Sequence, residues 1–291
     1  MRVLREFGPN WRGMMNPFWL LLGVVSLFPR WSLMGANVVS FVYSFYATTL
    51  QSYVDDRGMV DYRKLKSAGV ELRAFIQELA KMSPENHPEI FPTRETRLAY
   101  WINAYNAFVL KGVMDSYPTR SVRSSKTLYG YLFFRRLKFE TGGRKYTLNH
   151  IENEIIRKQY QDPLVHFALV SASMGCARLS RDPFLPEHLQ DQLNAAARMF
   201  IGDNRNVRVD PAAGKILLSK LFAPSWYEGD FLYWYSVHFP GSKPSIQDYL
   251  KLYLSPDRKR LLEANPLLKR EYIDYDWSLN DQALYSAPSV G

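Results

Sequence analysis

The chain has 291 residues, 47% hydrophobic and 22% charged, which is enough apolar material for a sizeable core and lacks the charge-rich, apolar-poor signature of disorder. Its single cysteine, Cys176, excludes an intramolecular disulfide and any multi-cysteine zinc site. The net charge is +9 and the aromatic share 15%, with 19 tyrosines and 7 tryptophans, a balance that points to an aromatic-rich core or groove.

The first 37 residues read as a separate segment ahead of a globular domain over 38–285. Arg2, Arg5 and Arg12 precede the apolar run from Phe18 to Phe28, which ends at Pro29-Arg30. A basic start before a run of this length fits a signal peptide better than a full membrane span of about 20 residues. An uncleaved anchor is the second option and a buried first helix the third. The expectation is therefore a periplasmic or inner-membrane-anchored protein, with membrane association through this segment; a cytoplasmic location is the alternative.

Apolar spacing predicts a helix over Val38–Val54, stopped by Asp55-Asp56-Arg57-Gly58, then a short extended piece, then one helix from Leu65 to Met82. Three prolines between Ser83 and Pro92 mark a loop. Thr93 is the expected cap of the longest helix, Arg94–Met114. Leu98, Trp101, Ile102, Tyr105, Phe108 and Val109 form its stripe, and alanines make much of the rest apolar. Asn103 and Asn106 lie three apart on it. Buried amides need partners, so they either orient a ligand or a catalytic group, or tie the helix to nearby backbone.

The stretch from Pro118 to Tyr146 holds Arg120, Arg123, Lys126, Arg135, Arg136, Lys138, Arg144 and Lys145 against Glu140 alone. Such a region is able to meet phosphate or anionic lipid, or is simply a solvated surface; no nucleic-acid fold signature accompanies it, so nucleic acid is not expected as a partner. Phe133–Tyr146 reads as a hairpin turning at Thr141-Gly142-Gly143. Asn149 is the expected cap of the next helix with Glu152 completing a capping box, which places His150 in the first turn, where the helix dipole favours a neutral imidazole.

Leu164–Val170 reads as a strand buried on both faces, carrying His166, followed by the small-residue loop 171–178 with Cys176. On a strand His166 would lie about 13 Å before Val170, so the loop would have to fold back for the thiol to meet it. A helix over Pro186–Ile201 follows. Two short strands then flank Asp210–Gly214, and helices are expected near Ile246–Tyr253 and from Asp257. The fold class is α+β: a mainly helical single domain with a small central sheet, for which a papain- or transglutaminase-like arrangement is one option.

Several segments together resemble the family named domain of unknown function 547. They are Gly58–Tyr62, Ala99–Ala107, Leu148–Glu152 with Arg157, His166–Leu169 with Ser173 and Gly175-Cys176, Leu218–Lys220 with Trp226-Tyr227 and Asp230-Phe231, and Tyr275–Asn280. The resemblance implies a bacterial protein of a family whose members often carry export signals and which also occurs at the end of plant leucine-zipper proteins. The family often has cysteine where this chain has Ser171, proline where it has Ala177 and histidine where it has Asn153. These departures count against a two-thiol mechanism and against a metal held by that histidine.

The sharpest functional reading is a thiol hydrolase or acyl transferase acting on amides or esters. Cys176 would be the nucleophile, His166 or His150 the base, and Asn103 or Glu152 the orienting group, with Asn106, Ser173, Trp226, Tyr227 and Asp230 as binding residues. The competing reading is a non-enzymatic module in which the aromatic segments around Trp101, Trp226, Tyr227 and Trp277 surround a groove for a peptide, glycan or lipid headgroup. The five histidines show no zinc-binding spacing and no glycine run resembles a phosphate loop, so no metal or cofactor is expected; the partner is an unknown small molecule or peptide.

Overall fold

The computed structural model describes residues 43–123, 131–241 and 243–285. The N-terminal basic and apolar segment, residues 38–42 of the first expected helix, and Lys126 lie outside them. Among the described residues no helix is long and apolar enough to cross a membrane.

Helix α1 covers residues 43–53. Asp61 caps α2 (Tyr62–Ala68) by accepting from the Lys64 amide, and α3 (Val70–Lys81) follows. The single helix expected here is therefore two, broken at Gly69, whose backbone (φ −73°, ψ 59°) leaves the helical region while its amide still reaches the Leu65 carbonyl. Helix α4 (Arg94–Ser116) is capped by Thr93 in a reciprocal pair with Thr96, and it is the axis of the core: every residue from Leu98 to Leu110 is buried. Rings from neighbouring elements pack on it, such as Phe139 stacked on Phe108 at 4.8 Å.

Both asparagines of α4 turn out to be backbone ties. Asn103 exchanges two hydrogen bonds with Phe184, donating to its carbonyl at 2.8 Å and accepting from its amide at 2.9 Å. Asn106 donates to the Ala168 carbonyl at 2.9 Å and accepts from the Val170 amide at 3.0 Å. Each amide thus imitates one rung of a sheet ladder, using one donor and its oxygen on backbone groups.

The expected hairpin is shorter than Phe133–Tyr146. Its first residues form α5 (Tyr131–Arg135), and antiparallel β1 (Lys138–Thr141) and β2 (Arg144–Thr147) follow. The turn docks on the end of α3, with the Gly142 amide on the Leu79 carbonyl and the Gly143 amide on that of Ala80. Both glycines have positive φ, but a Cβ on Gly142 would stand 2.2 Å from Ser83 Oγ, whereas one on Gly143 meets nothing within 4 Å. Gly142→Ala is expected to cost more than the ~1–2 kcal/mol of left-handed strain alone, and Gly143→Ala no more than that strain. Equal melting-temperature losses for the two variants would contradict this.

Thr147, not Asn149, caps the next helix, accepting from the His150 amide. The side chain two residues earlier wins because α6 (Leu148–His150) already begins at Leu148, which places Asn149 inside the first turn. The helix then widens into a π-wound stretch, Ile151–Arg157, and closes with α7 (Lys158–Tyr160). Such π segments often occur at functional sites.

Leu164–Val170 is not a strand. Asp162 caps a 3-10 helix, Pro163–Phe167, with proline at its first position. A short apolar run is equally suited to a buried strand or a buried helical turn, and here the Asp-Pro pair decides. The segment's burial comes from α8 (Leu189–Gly202), which packs on it, and from Phe200, Phe222 and Phe231 around Phe167.

Strands β3 (Val207–Asp210) and β4 (Lys215–Ser219) pair antiparallel, as expected around Asp210–Gly214. Beyond them come α9 (Glu228–His238), α10 (Ile246–Lys251), α11 (Pro256–Glu263), β5 (Lys269–Ile273) and α12 (Gln282–Tyr285). Strand β5 adds parallel to β4, completing a three-stranded sheet. The mainly helical α+β class holds.

Between β5 and α12 the chain runs as a strap that sews three distant segments together. Val60 donates to the Asn280 carbonyl, Leu279 donates to that of Arg120, and Met174 and Gly175 donate to those of Ser278 and Asp276.

Candidate functional site

The π-wound stretch, the 3-10 helix, the loop after it, the start of α9 and the strap converge on one open cavity of about 390 Å³. Glu152, His166, Ser171, Cys176, Trp226, Tyr227, Tyr275 and Trp277 are among the residues lining it.

His166 is buried and held from three sides. Its Nε2 lies 2.8 Å from Asp230 Oδ2, Tyr227 stacks on the ring at 3.9 Å between centroids, and Phe231 packs at 5.5 Å. Asp230 also receives a two-pronged bond from Arg157, Nε to Oδ2 at 2.8 Å and Nη2 to Oδ1 at 2.9 Å. Burial alone would raise the Asp230 carboxyl, but the hydrogen bonds from His166 and Arg157 outweigh it and hold the pKa far below the usual carboxylate range. An ionised carboxylate only accepts, so Nε2 carries the proton and Nδ1 of a neutral ring keeps its lone pair.

Glu152 is fixed by two phenols, Tyr227 donating to Oε1 at 2.6 Å and Tyr105 to Oε2 at 3.2 Å. Burial, followed by the Glu152 charge, drives both tyrosines well above their ordinary range, so they remain protonated donors. Arg157 lies over the Tyr227 ring at 4.9 Å and also reaches Asn153, which links this carboxylate to the His166–Asp230 pair.

Cys176 is half-buried, with its thiol 3.0 Å from the Ser173 carbonyl and 3.1 Å from that of Ala177; no hydrogen bond joins it to His166. Beside it the hydroxyls of Ser171, Ser173 and Tyr275 close a triangle with sides of 2.7, 2.9 and 3.0 Å. Burial raises the Tyr275 hydroxyl far above its ordinary range. The loop carrying Cys176 is a partition, since the residue also lines a second cavity of about 410 Å³ with Gly58, Arg178, Asp203 and Arg205.

In that second cavity, burial opposes ionisation of Asp203, yet the bonds from Arg205 and Arg178 bring its pKa down to about 2. A folded value below the ordinary 3.8 means the stabilisation is complete above pH 4 and fades as the pH falls toward 2. Asp203→Asn should therefore lower the melting temperature at neutral pH and remove part of its decline between pH 4 and 2; parallel curves for variant and wild type would contradict the assignment.

Of the residues singled out from sequence, Glu152, His166, Cys176, Trp226 and Tyr227 line the cleft, Asp230 stands behind His166, and Ser173 supports the hydroxyl triangle. Asn103 and Asn106 bond the backbone of Phe184 and of Ala168 and Val170, the second of the two readings given for them, and neither lines the cleft. His150 is exposed, with its ring against Tyr146 and not in the cleft wall. Arg157, Ser171, Tyr105 and Tyr275 were not among the candidate site residues. Tyr105, Arg157 and Tyr275 fall within the quoted resemblance and Ser171 opens the loop of Cys176, but no local spacing links the first three to the thiol. Among the described residues, no group of three or more histidine, cysteine or acidic side chains is placed to hold a metal ion.

Residues 91–201 match the family described as protein of unknown function, DUF547. This part of the chain is similar to that family. The matched stretch carries α4 and the Glu152, Arg157, His166, Ser171 and Cys176 side of the cleft, whereas Trp226, Tyr227, Asp230 and the strap lie beyond it. No curated protein and no solved structure matches the chain. The DUF547 segment therefore supplies the thiol, the imidazole and one carboxylate, and later residues supply the carboxylate that orients the imidazole and the aromatic wall.

Proposed function

We propose that the protein is a thiol hydrolase or acyl transferase acting on amide or ester bonds at this cleft. One observation carries the reading: Cys176 and a histidine tethered to an ionised carboxylate open onto the same cavity. The thiol first leaves the Ser173 and Ala177 carbonyls. Nδ1 of His166 then takes its proton as sulfur attacks the carbonyl carbon, and Asp230 stabilises the imidazolium that results. The imidazolium returns the proton to the departing amine or alcohol, leaving a thioester. Water or an acceptor nucleophile, deprotonated by the same nitrogen, displaces the thiolate, which recovers the proton.

A second reading is favoured by the aromatic wall, in which Trp226, Tyr275 and Trp277 pack within 4.5–6.1 Å of one another beside the fixed Glu152. Such a groove would bind a peptide, glycan or lipid headgroup without chemistry.

Iodoacetamide labelling of Cys176 at neutral pH separates the two. If His166 serves the thiol, His166→Ala should slow labelling of the folded protein by at least about tenfold, Asp230→Asn should slow it less, and His150→Ala, outside the cleft, should not. Circular dichroism confirms that each variant is folded. Labelling at equal rates in all four proteins would sink the thiol reading and leave the binding module.

A further inference from the structure

Two basic elements are fixed at the rim of the cleft. Residues 119–123 are fastened to the strap, since Ser121 Oγ donates to the Trp277 carbonyl at 2.6 Å and the Leu279 amide to that of Arg120. This attachment places the exposed Arg123 guanidinium over the Trp277 ring at 4.7 Å, and Trp277 itself lines the cavity. On α5, Phe134 and the exposed Arg135 line the same cavity. The carboxylates nearby make hydrogen bonds of their own. Glu152 is held by two phenols, Asp230 by Arg157 and His166, and Asp276 by the Ser278 amide and hydroxyl.

We infer that the molecule taken by this cleft is anionic, carrying a carboxylate or phosphate that Arg123 and Arg135 hold at the rim while its uncharged part lies along Trp226, Tyr275 and Trp277. Guanidinium groups pair with both anions through two parallel N–H bonds, and cations gathered at the mouth of a low-dielectric cleft raise the local concentration of an anion. The inference names the substrate class for the thiol chemistry proposed above and rests on that reading for the reaction, though not for the binding.

The test compares Cys176 labelling by iodoacetate and by iodoacetamide, which share a leaving group and differ in charge. The ratio of the two rates, taken relative to the same ratio in urea-unfolded protein, cancels the reactivity of the thiol itself. We expect the folded protein to favour iodoacetate by about threefold to tenfold over the unfolded reference, and Arg123→Gln/Arg135→Gln to return the ratio to the unfolded value. A folded ratio equal to or below the unfolded one overturns the inference, as does a preference that survives in the double variant. Failure of the thiol reading is seen separately, in the iodoacetamide rates of the His166 variants. Should Cys176 label with neither reagent, tryptophan fluorescence decides. Inorganic phosphate or acetate, at constant ionic strength, should give a saturable change that is lost in the double variant, and the better-binding of the two identifies the anionic group. No saturable change with either anion overturns the inference.

Discussion

Asn106→Ala should destabilise the protein by roughly 3–5 kcal/mol, because it strands two buried backbone groups at once, each worth about 1–3 kcal/mol when left unpaired. The groups are the Ala168 carbonyl and the Val170 amide, and both residues are buried against α4. Among the described residues no other group bonds the Val170 amide, and the deleted amide leaves a space beside it. Urea unfolding measures the cost. A loss under about 1 kcal/mol would mean that water or a backbone shift satisfies both groups. Because Ala168–Val170 joins His166 to the Ser171 hydroxyl, the folded variant should also show altered Cys176 labelling. Asn103→Ala, which strands the amide and carbonyl of Phe184 in the same way, should cost a similar amount without that second effect.

Asp230→Ala is expected to cost about 2–3 kcal/mol at neutral pH, below the 3–5 kcal/mol typical when one partner of a fully buried pair is removed. The discount reflects exposure, since the Arg157 and Asp230 side chains keep 26% and 32% of theirs. Removal leaves the guanidinium with Asn153 and the Tyr227 ring, and the imidazole with no acceptor on Nε2. The sign of the pH dependence follows from a folded carboxyl pKa lying far below its unfolded value. The stabilisation is fully present above about pH 4 and is lost as the pH falls through the folded value. The gap between wild type and Asp230→Asn should accordingly narrow as the pH falls from 4 toward 2. A gap that holds constant over that range would show that the carboxylate's charge contributes nothing to the fold.

What could be read from the sequence follows the length of each signal. Helix α4 was legible to its cap because 23 residues of periodic apolar pattern follow a threonine. The Asp210–Gly214 hairpin was legible from its turn residues. Leu164–Val170 was misread because a seven-residue, nearly continuous apolar run has no period of its own, and the decision fell to a single Asp-Pro cap. Helix α9 escaped notice since apolar residues surround it, with Phe231 buried and Tyr233 and Val237 exposed, so it shows no face to detect. The misread strand also produced the objection that His166 and Cys176 lie too far apart along an extended chain; with the segment coiled, both reach one cavity. The His166–Asp230 contact joins residues 64 positions apart, and the Tyr227–Glu152 contact residues 75 apart. No local pattern encodes such pairs, although the ordered resemblance had placed all four among its matching segments.

The strap also sets an order of events during synthesis. Tyr275 meets Ser171 across 104 positions, and Asn280 reaches back to Tyr62 across 218. A ribosome delivers the thiol and imidazole long before the last residues that wall them in, so a nascent or truncated chain ending before Tyr275 would carry Cys176 and His166 without Tyr275, Trp277 or the seam that holds residues 119–123. The cleft is complete only when the strap has closed on the domain, so no product ending before Tyr275 carries its full wall.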